Sequence, residues 1–143
     1  MNNLTETLDD FTWENYKDIS DALVQFSESN VEDEMIRQAS IYSYYFGLMC
    51  VAKKQMNDFS ADIMRITSKL RSGFKQGSST KLTAKDLDDL VGVDEAYLAA
   101  NKELNSATFK YELLKGLVRA LEQKKDMIVQ VSANKREETK LYK

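Results

Sequence analysis

The chain has 143 residues, 30% of them charged, with one cysteine and neither proline nor histidine. The lack of histidine removes the commonest general base and the commonest metal ligand, which excludes Ser/His and Cys/His nucleophile pairs and most zinc sites. The single cysteine excludes an intramolecular disulfide, and the five glycines fit no nucleotide-binding fingerprint.

The N-terminal part of the chain is predicted to contain one short helix. Residues 1–11 are polar, and we expect them to be mobile. Thr12 is a typical N-cap, so the helix is predicted over residues 12–27. Its apolar face repeats at helical spacing and consists of Tyr16, Ile19, Leu23 and Phe26. We expect Trp13 to pack this helix onto a neighbouring element.

A much longer helix is predicted over residues 30–72, with Asn30 as its N-cap. One apolar position recurs at strict seven-residue spacing, with Tyr42, Met49, Met56, Ile63 and Leu70. The stripe is wide in its middle, because Tyr45 and Ala52 begin a second apolar series. A wide stripe contacts more than one helix, so either the N-terminal helix or a second subunit packs there. Cys50 lies in an apolar run, and we expect it to be a buried small hydrophobic residue.

Gly47 interrupts the middle of this helix, where alanine would be more favourable by about 1 kcal/mol. Close approach of another backbone would explain the glycine, and so would a plain kink. We expect a homo-oligomer that assembles through the apolar flank around this position. The predicted interface consists of Tyr45, Phe46, Gly47 and Met49.

A Gly/Ser-rich segment follows the long helix. Gly73 is predicted to end the helix, and residues 73–82 are predicted to form a flexible basic loop. Thr83 and Asp86 have the spacing of a capping box, which predicts a short helix over residues 83–91.

Asp94 is the predicted N-cap of a second long helix, over residues 94–135, and a charged tail follows at residues 136–143. Two seam positions alternate through four heptads, with Tyr97, Leu104, Tyr111 and Val118 at one and Ala100, Ala107, Leu114, Leu121 and Ile128 at the other. A stripe this narrow must pack along a partner helix. The predicted fold is a single all-α domain: a long antiparallel helical hairpin of coiled-coil type with a short N-terminal helix, completing its core by oligomerisation. Such rods bind and scaffold, so we expect no enzyme, no cofactor and no metal site.

Charge is segregated along the chain, although the net charge is only −3. Residues 1–50 and 86–112 are acidic, whereas residues 51–85 and 113–143 are basic. In an antiparallel hairpin these segments face oppositely charged ones, which favours that register. No apolar run approaches the about 20 residues of a membrane span, and the acidic opening does not look like a signal peptide. We expect a soluble cytoplasmic protein, in the host cytoplasm if it is phage-encoded.

Basic residues are densest around the predicted loop. The candidate DNA-binding site consists of Arg65, Lys69, Arg71, Phe74, Lys75 and Lys81. Basic side chains beside an aromatic residue on a mobile segment suit a single-stranded phosphate backbone, with Phe74 stacking on a base. The same charges have a second interpretation, in which they only stabilise the hairpin.

A Lys-x-Arg element, Lys69-Leu70-Arg71, lies just before Gly73 at the predicted end of the long helix, and the C-terminal long helix has basic ends. In these features and in overall size, residues 30–130 resemble the UvsY-like recombination mediators of bacteriophages. The resemblance implies a ring-shaped homo-oligomer that binds single-stranded DNA through Lys69 and Arg71. It also implies DNA recombination and repair as the process, with a RecA-type recombinase and a single-strand-binding protein as partners.

Two other interpretations remain open. The chain could be a helical adaptor or structural protein that binds only other proteins, and a salt-dependent shift of a labelled oligonucleotide separates this from the mediator. It could also be an all-α pyrophosphohydrolase that holds magnesium on helical carboxylates. The carboxylate pairs with suitable spacing are Asp58 with Asp62, Asp86 with Asp89, and Glu122 with Asp126. Magnesium-dependent nucleotide hydrolysis would support that interpretation.

Overall fold

The computed structural model describes residues 8–142, of which 90% are helical, with no strand in this range. Its elements in chain order are a 3₁₀ turn (Leu8–Asp10), α1 (Trp13–Val24), a second 3₁₀ turn (Glu28–Asn30), α2 (Val31–Gly77), α3 (Ala84–Gly92) and α4 (Glu95–Leu141). The long helices α2 and α4 form a hairpin, and α1 is the short N-terminal helix. The predicted all-α hairpin is therefore confirmed.

Both long helices extend beyond their predicted C-terminal ends. Each has 47 residues, a length of about 70 Å at about 1.5 Å per residue. α2 continues through Gly73, because Phe74 lies one turn after Leu70 on the same face and both are half-buried. Burial of Phe74 offsets the about 1 kcal/mol that a helical glycine costs. The predicted charged tail is also helical as far as Leu141, and there Lys140 pairs with Glu137 at 3.2 Å.

The chain divides into two compact units. Unit 1 contains the residues up to Val51 together with those from Lys110 onward, and unit 2 contains Ala52 to Phe109. Each unit therefore takes one part of α2 and one part of α4.

Unit 1 has an apolar core between α1, the first part of α2 and the last part of α4. The buried apolar side chains of this unit are Phe11, Leu23, Val31, Ile41, Tyr45, Leu114, Leu117, Val118, Leu121 and Ile128. The Phe11 ring packs edge-on against Tyr45 with a centroid distance of 6.0 Å, and both residues are fully buried. The segment before α1 therefore covers the wide part of the α2 stripe at Tyr45. The expected mobility of residues 1–11 is wrong at Phe11, while residues 1–7 lie outside the described residues.

The aromatic residue that connects the N-terminal region to the neighbouring helix is not the predicted one. Trp13 is 65% exposed and stacks on Tyr16 at a centroid distance of 6.4 Å, so Phe11 and not Trp13 contacts the neighbouring helix. α1 begins after Thr12 as predicted, but it ends at Val24 rather than near residue 27. Trp13 is the first residue of α1, whereas the half-buried Tyr16 reaches α4, where a Cβ added to Gly116 would lie 3.5 Å from its hydroxyl.

Helix caps account for the other boundaries. Asp94 caps α4 as predicted, because its Oδ1 accepts hydrogen bonds from the N–H groups of Ala96 at 2.9 Å and Tyr97 at 3.3 Å. Asn30 does not cap α2. Its Oδ1 instead accepts from the Ser27 N–H at 2.8 Å, which stabilises the 3₁₀ turn that leads directly into α2.

The predicted capping box of α3 is confirmed. The Thr83 N–H donates to Asp86 Oδ2 at 3.0 Å, and the Asp86 N–H donates to the Thr83 hydroxyl at 3.1 Å. The backbone N–H of Thr83, and to a smaller extent its side chain, lower the pKa of the Asp86 carboxyl. The helix start lies in unit 2, whose buried apolar residues are Ala52, Leu87, Val91 and Ala107.

We expect Asp86→Ala to lower the thermal unfolding midpoint at neutral pH by removing this cap. Because the pKa of Asp86 is lowered in the folded state, its stabilisation is present above the ordinary carboxyl pKa of 3.8 and is lost as the pH falls through the lowered value. The difference between wild type and variant should therefore shrink in acid. Asp89→Ala, which removes an exposed carboxylate from the same helix without removing the cap, is the control. A difference that is constant from pH 7 to acid would contradict the role of the ionised cap.

Candidate functional site

The residues of the predicted DNA-binding site all lie in unit 2, but mostly on a helix rather than on a loop. Phe74 and Lys75 belong to the last turns of α2, and only Lys81 lies in the connection between α2 and α3. The predicted loop over residues 73–82 is therefore wrong for its first part. Phe74 is half-buried, so it is not the freely exposed stacking platform that the sequence predicts.

The two arginines of the site already have acidic partners. Arg65 pairs with Asp62 one helical turn earlier, at 3.2 Å between Nη2 and Oδ1. Arg71 pairs with Asp88 of α3. Both carboxylates neutralise the guanidinium groups that the prediction assigns to DNA phosphates. The predicted helix end at Gly73 is also wrong, because α2 continues beyond Arg71 to Gly77.

Four lysines around the α2–α3 connection have a different environment. Lys69, Lys75, Lys81 and Lys85 are exposed, and within the described chain none of them has a carboxylate within 4.0 Å. We call these four residues the lysine cluster. Lys69 lies eight residues before the end of α2, which is about 12 Å along the helix. Lys85 lies in the first turn of α3, so the cluster surrounds the point where the chain reverses.

The connection between α2 and α3 is locally organised. The Ser78 hydroxyl donates to the Thr80 carbonyl at 2.8 Å, and the Thr80 N–H donates back to the Ser78 hydroxyl at 3.3 Å. These bonds form a compact Ser/Thr turn. The hydroxyl-rich segment is therefore a defined turn that presents Lys81, and not a long flexible loop.

The predicted oligomer interface is only partly a surface. Tyr45 is buried inside unit 1 and is not available to another subunit. Phe46 is 43% exposed and stacks on Tyr42 at 5.9 Å, and Gly47 is exposed. A Cβ added to Gly47 would meet no atom within 4 Å, so no close backbone approach within the chain explains this glycine. Met49 is half-buried.

Cys50 is exposed, contrary to its predicted burial. It lies five residues after Tyr45, which places it about 140° around α2 from that core position. The apolar neighbours in the sequence misled the prediction, because consecutive residues of a helix point to different sides.

Unit 1 contains a groove between α2 and α4 that the sequence analysis missed. It has a volume of about 630 Å³, and its lining residues are Met35, Gln38, Ala39, Tyr42, Glu122, Lys125, Asp126, Ile128 and Val129. At its rim the Tyr42 hydroxyl donates to Glu122 Oε1 at 2.8 Å, and this hydrogen bond raises the pKa of Tyr42.

A buried amide forms part of the groove floor. Gln38 is only 7% exposed, and its Nε2 donates to the Leu121 carbonyl at 2.9 Å. Because a carbonyl accepts only from a donor, this bond fixes which amide atom is nitrogen. The Oε1 of Gln38 is buried and has no hydrogen-bond partner. The sequence contains a sign of this buried amide, because Gln38 is a polar residue in the heptad series of Val31 and Tyr45, where apolar residues are expected.

A second buried polar group joins three helices of unit 1. The Lys124 side chain is 1% exposed, and its Nζ donates to Glu34 Oε2 at 2.6 Å and to the Leu23 carbonyl at 2.5 Å. Leu23 is in the last turn of α1, where backbone carbonyls lack helical partners, so the lysine acts as a C-terminal cap. On α4, Lys124 lies between the core residues Leu121 and Ile128, and its burial was not predicted from the sequence.

Three carboxylates of the hydrolase interpretation are occupied with cations or a cap, and Glu122 accepts from the Tyr42 hydroxyl. Asp58 pairs with Lys54 at 2.8 Å, Asp62 pairs with Arg65, and Asp86 caps α3. Among residues 8–142 there is no cluster of three or more metal-ligand side chains of the His, Cys, Asp and Glu types. The described helices also lack the combination of length and apolar content that crossing a bilayer demands.

No protein family profile, curated protein or solved structure matches this chain. Its function is therefore inferred from its fold, its surfaces and its sequence pattern.

Proposed function

We propose that this chain binds single-stranded DNA through the lysine cluster and acts, without catalysis, as a recombination mediator. The observation that carries the proposal is the contrast between two sets of cations at one end of α2. Arg65 and Arg71 are paired with aspartates, whereas the four lysines of the cluster have no such partner. A lysine without a partner carboxylate can contact a phosphate without first breaking an ion pair.

The chemistry around the cluster suits a flexible phosphate backbone better than a base sequence. Lysine is a point charge on a flexible stem, so it contacts phosphates without reading base edges. The turn at Ser78 adds the exposed hydroxyl-bearing residues Ser79 and Thr80, and the exposed part of Phe74 is available to the edge of a base. Recognition of this kind is independent of sequence, as a mediator requires.

One subunit is expected to bind weakly, because unit 2 carries almost as many acidic as basic residues. Repetition of the cluster in an oligomer would raise the affinity by avidity. The resemblance to UvsY-like mediators supplies the rest of the proposal: a ring-shaped homo-oligomer in the cytoplasm, of the host if the chain is phage-encoded. It would load a RecA-type recombinase in place of a single-strand-binding protein.

We expect the triple variant Lys69→Ala, Lys75→Ala and Lys81→Ala to weaken single-stranded DNA binding. Each lost phosphate contact lowers the slope of log K against log salt by about 0.7, so the slope should fall by about 2. Fluorescence anisotropy of a labelled oligonucleotide, measured over a series of salt concentrations, gives both quantities. Helicity should be unchanged, because all three side chains are exposed.

The matched control removes three exposed lysines without a carboxylate partner elsewhere in the described chain, namely Lys17, Lys53 and Lys102. It lowers the net charge by the same amount, so a site-specific effect must exceed the effect of this control. Equal loss in both variants, or unchanged binding in the first, would overturn the assignment of the lysine cluster. Arg71→Ala is a further comparison, and we expect a smaller effect on DNA because Arg71 is paired with Asp88.

A protein adaptor is the second candidate function, and the groove of unit 1 favours it. Apolar residues with substantial exposure lie along this groove, including Met35 at 45% and Val129 at 56%. Such patches are typical of protein interaction sites. A chain that fails to bind oligonucleotide at low salt would favour this candidate over the mediator.

A further inference from the structure

The groove of unit 1 continues along the hairpin towards the end of α4. A second stretch, of about 500 Å³, is lined by Val31, Glu32, Met35, Val129, Ser132, Lys135, Arg136 and Thr139. Met35 and Val129 line both stretches, so the two form one continuous groove with apolar side chains at its centre.

Charge is distributed unequally along this groove. Glu122 and Asp126 line the first stretch together with Lys125, so acidic groups are in excess there. Lys135 and Arg136 line the second stretch together with Glu32, so basic groups are in excess there. Glu122, Val129 and Arg136 are spaced by seven residues, so they lie on one face of α4 in the order acidic, apolar, basic. Glu122 and Arg136 are about 21 Å apart along the helix. When two copies of this face run antiparallel, the acidic end of each lies against the basic end of the other.

The floor of the first stretch contains an unsatisfied acceptor. Gln38 Oε1 is buried without a hydrogen-bond partner, which is unfavourable. Gln38 bonds to the backbone carbonyl of Leu121, the residue before Glu122, so the acidic end of the groove also has a polar floor.

We propose that a second copy of this chain occupies the groove, with its α4 antiparallel to the first and the two Val129 side chains at the two-fold axis. Arg136 of each copy then meets Glu122 of the other, and its guanidinium donates to that carboxylate. Glu122 can accept this contact while it holds Tyr42, because a carboxylate accepts several hydrogen bonds. Met35 and Val129 of both copies form the apolar centre.

Self-pairing is favoured over a foreign partner by the symmetry of the pattern. In a two-fold contact the same patch serves on both sides, so the patch must be complementary to itself. The acidic, apolar and basic order of α4 meets this requirement without any further protein. A two-fold contact closes on a pair of chains, and a larger assembly would require a second, different interface.

The test uses two charge-reversal variants, each of which should dimerise poorly alone but should pair with the other. Glu122→Arg places arginine against arginine, and Arg136→Glu places glutamate against glutamate, twice in each dimer. We expect each variant to raise the dimer dissociation constant by at least about tenfold in analytical ultracentrifugation. An equimolar mixture of the two variants should form a heterodimer, because every cross-pair is again of opposite sign.

Glu112→Arg, an exposed charge reversal on α4 outside the groove, is the matched control and should dimerise like the wild type. Circular dichroism checks that Glu122→Arg folds after losing its bond to Tyr42, and Arg136→Glu breaks no ion pair or hydrogen bond of the described chain. A monomeric wild type at micromolar concentration, single variants that dimerise normally, or a mixture that stays monomeric would each overturn the proposal. These measurements contain no DNA and alter no residue of the lysine cluster, so they test the dimer contact separately from DNA binding. A monomeric wild type would also contradict the homo-oligomer of the proposed function, whereas normal dimerisation of the single variants would overturn this contact alone.

Discussion

Replacing Lys124 by methionine is expected to destabilise the protein by about 3–5 kcal/mol, the usual effect of removing one partner of a buried ion pair. The Lys124 ammonium is the donor to both Glu34 and the Leu23 carbonyl. Methionine fills a similar volume but donates to neither. Glu34, whose side chain is only 13% exposed, keeps only its longer contact with Arg37 at 3.8 Å, and the last turn of α1 loses its cap.

The magnitude is checked by urea unfolding followed by circular dichroism. Lys102→Met makes the same substitution at an exposed site on the same helix, and we expect little change there. In the double variant Lys124→Met with Glu34→Leu, no buried charge remains, so much of the lost stability should return. A single variant as stable as the wild type would contradict the buried pair.

Tyr45→Ala is expected to destabilise unit 1 by about 3–5 kcal/mol, because removing a fully buried ring leaves a cavity that the packed core fills only in part. The cavity would lie against Phe11, whose ring packs on Tyr45. Loss of this contact should also release the segment before α1. Hydrogen exchange of the amides around Phe11 should therefore become faster, in addition to the lower unfolding free energy.

The neighbouring residue provides the control. Phe46→Ala removes a similar ring that is 43% exposed, and we expect a change of less than about 1 kcal/mol in the unfolding free energy. If the two substitutions had equal effects, the assignment of Tyr45 to the core and Phe46 to the surface would be wrong.

The elements of this fold could be predicted from the sequence because their signals are local. The seven-residue spacing along α4 correctly identified a long helix and a buried seam that includes Ala107, Leu114 and Leu121. The caps at Thr83 and Asp94 depend on hydrogen bonds over two or three residues, which the sequence contains in full. Helix ends were less accurate, because at Gly73 the burial of Phe74 outweighed the local preference for a break.

The candidate sites could not be predicted in the same way, since their charges are balanced by residues distant in the sequence. Arg71 and Lys69 look alike in the chain, and only packing of α3 near the end of α2 neutralises the first with Asp88 and leaves the second exposed. Likewise, the burial of Lys124 was not predicted, because its partner Glu34 lies 90 residues away in the sequence and only the fold brings the two together.

By itself, then, the sequence determined that the chain forms a hairpin of long helices, because periodicity and capping depend on near neighbours. The tertiary structure decided which faces of those helices are covered. Tyr45 and Phe46 are adjacent aromatic residues, and the chain segment at Phe11 buries one and leaves the other at the surface. The physical reason is that a heptad pattern specifies which side chains share a face, whereas the element that packs against that face is chosen by contacts between distant segments.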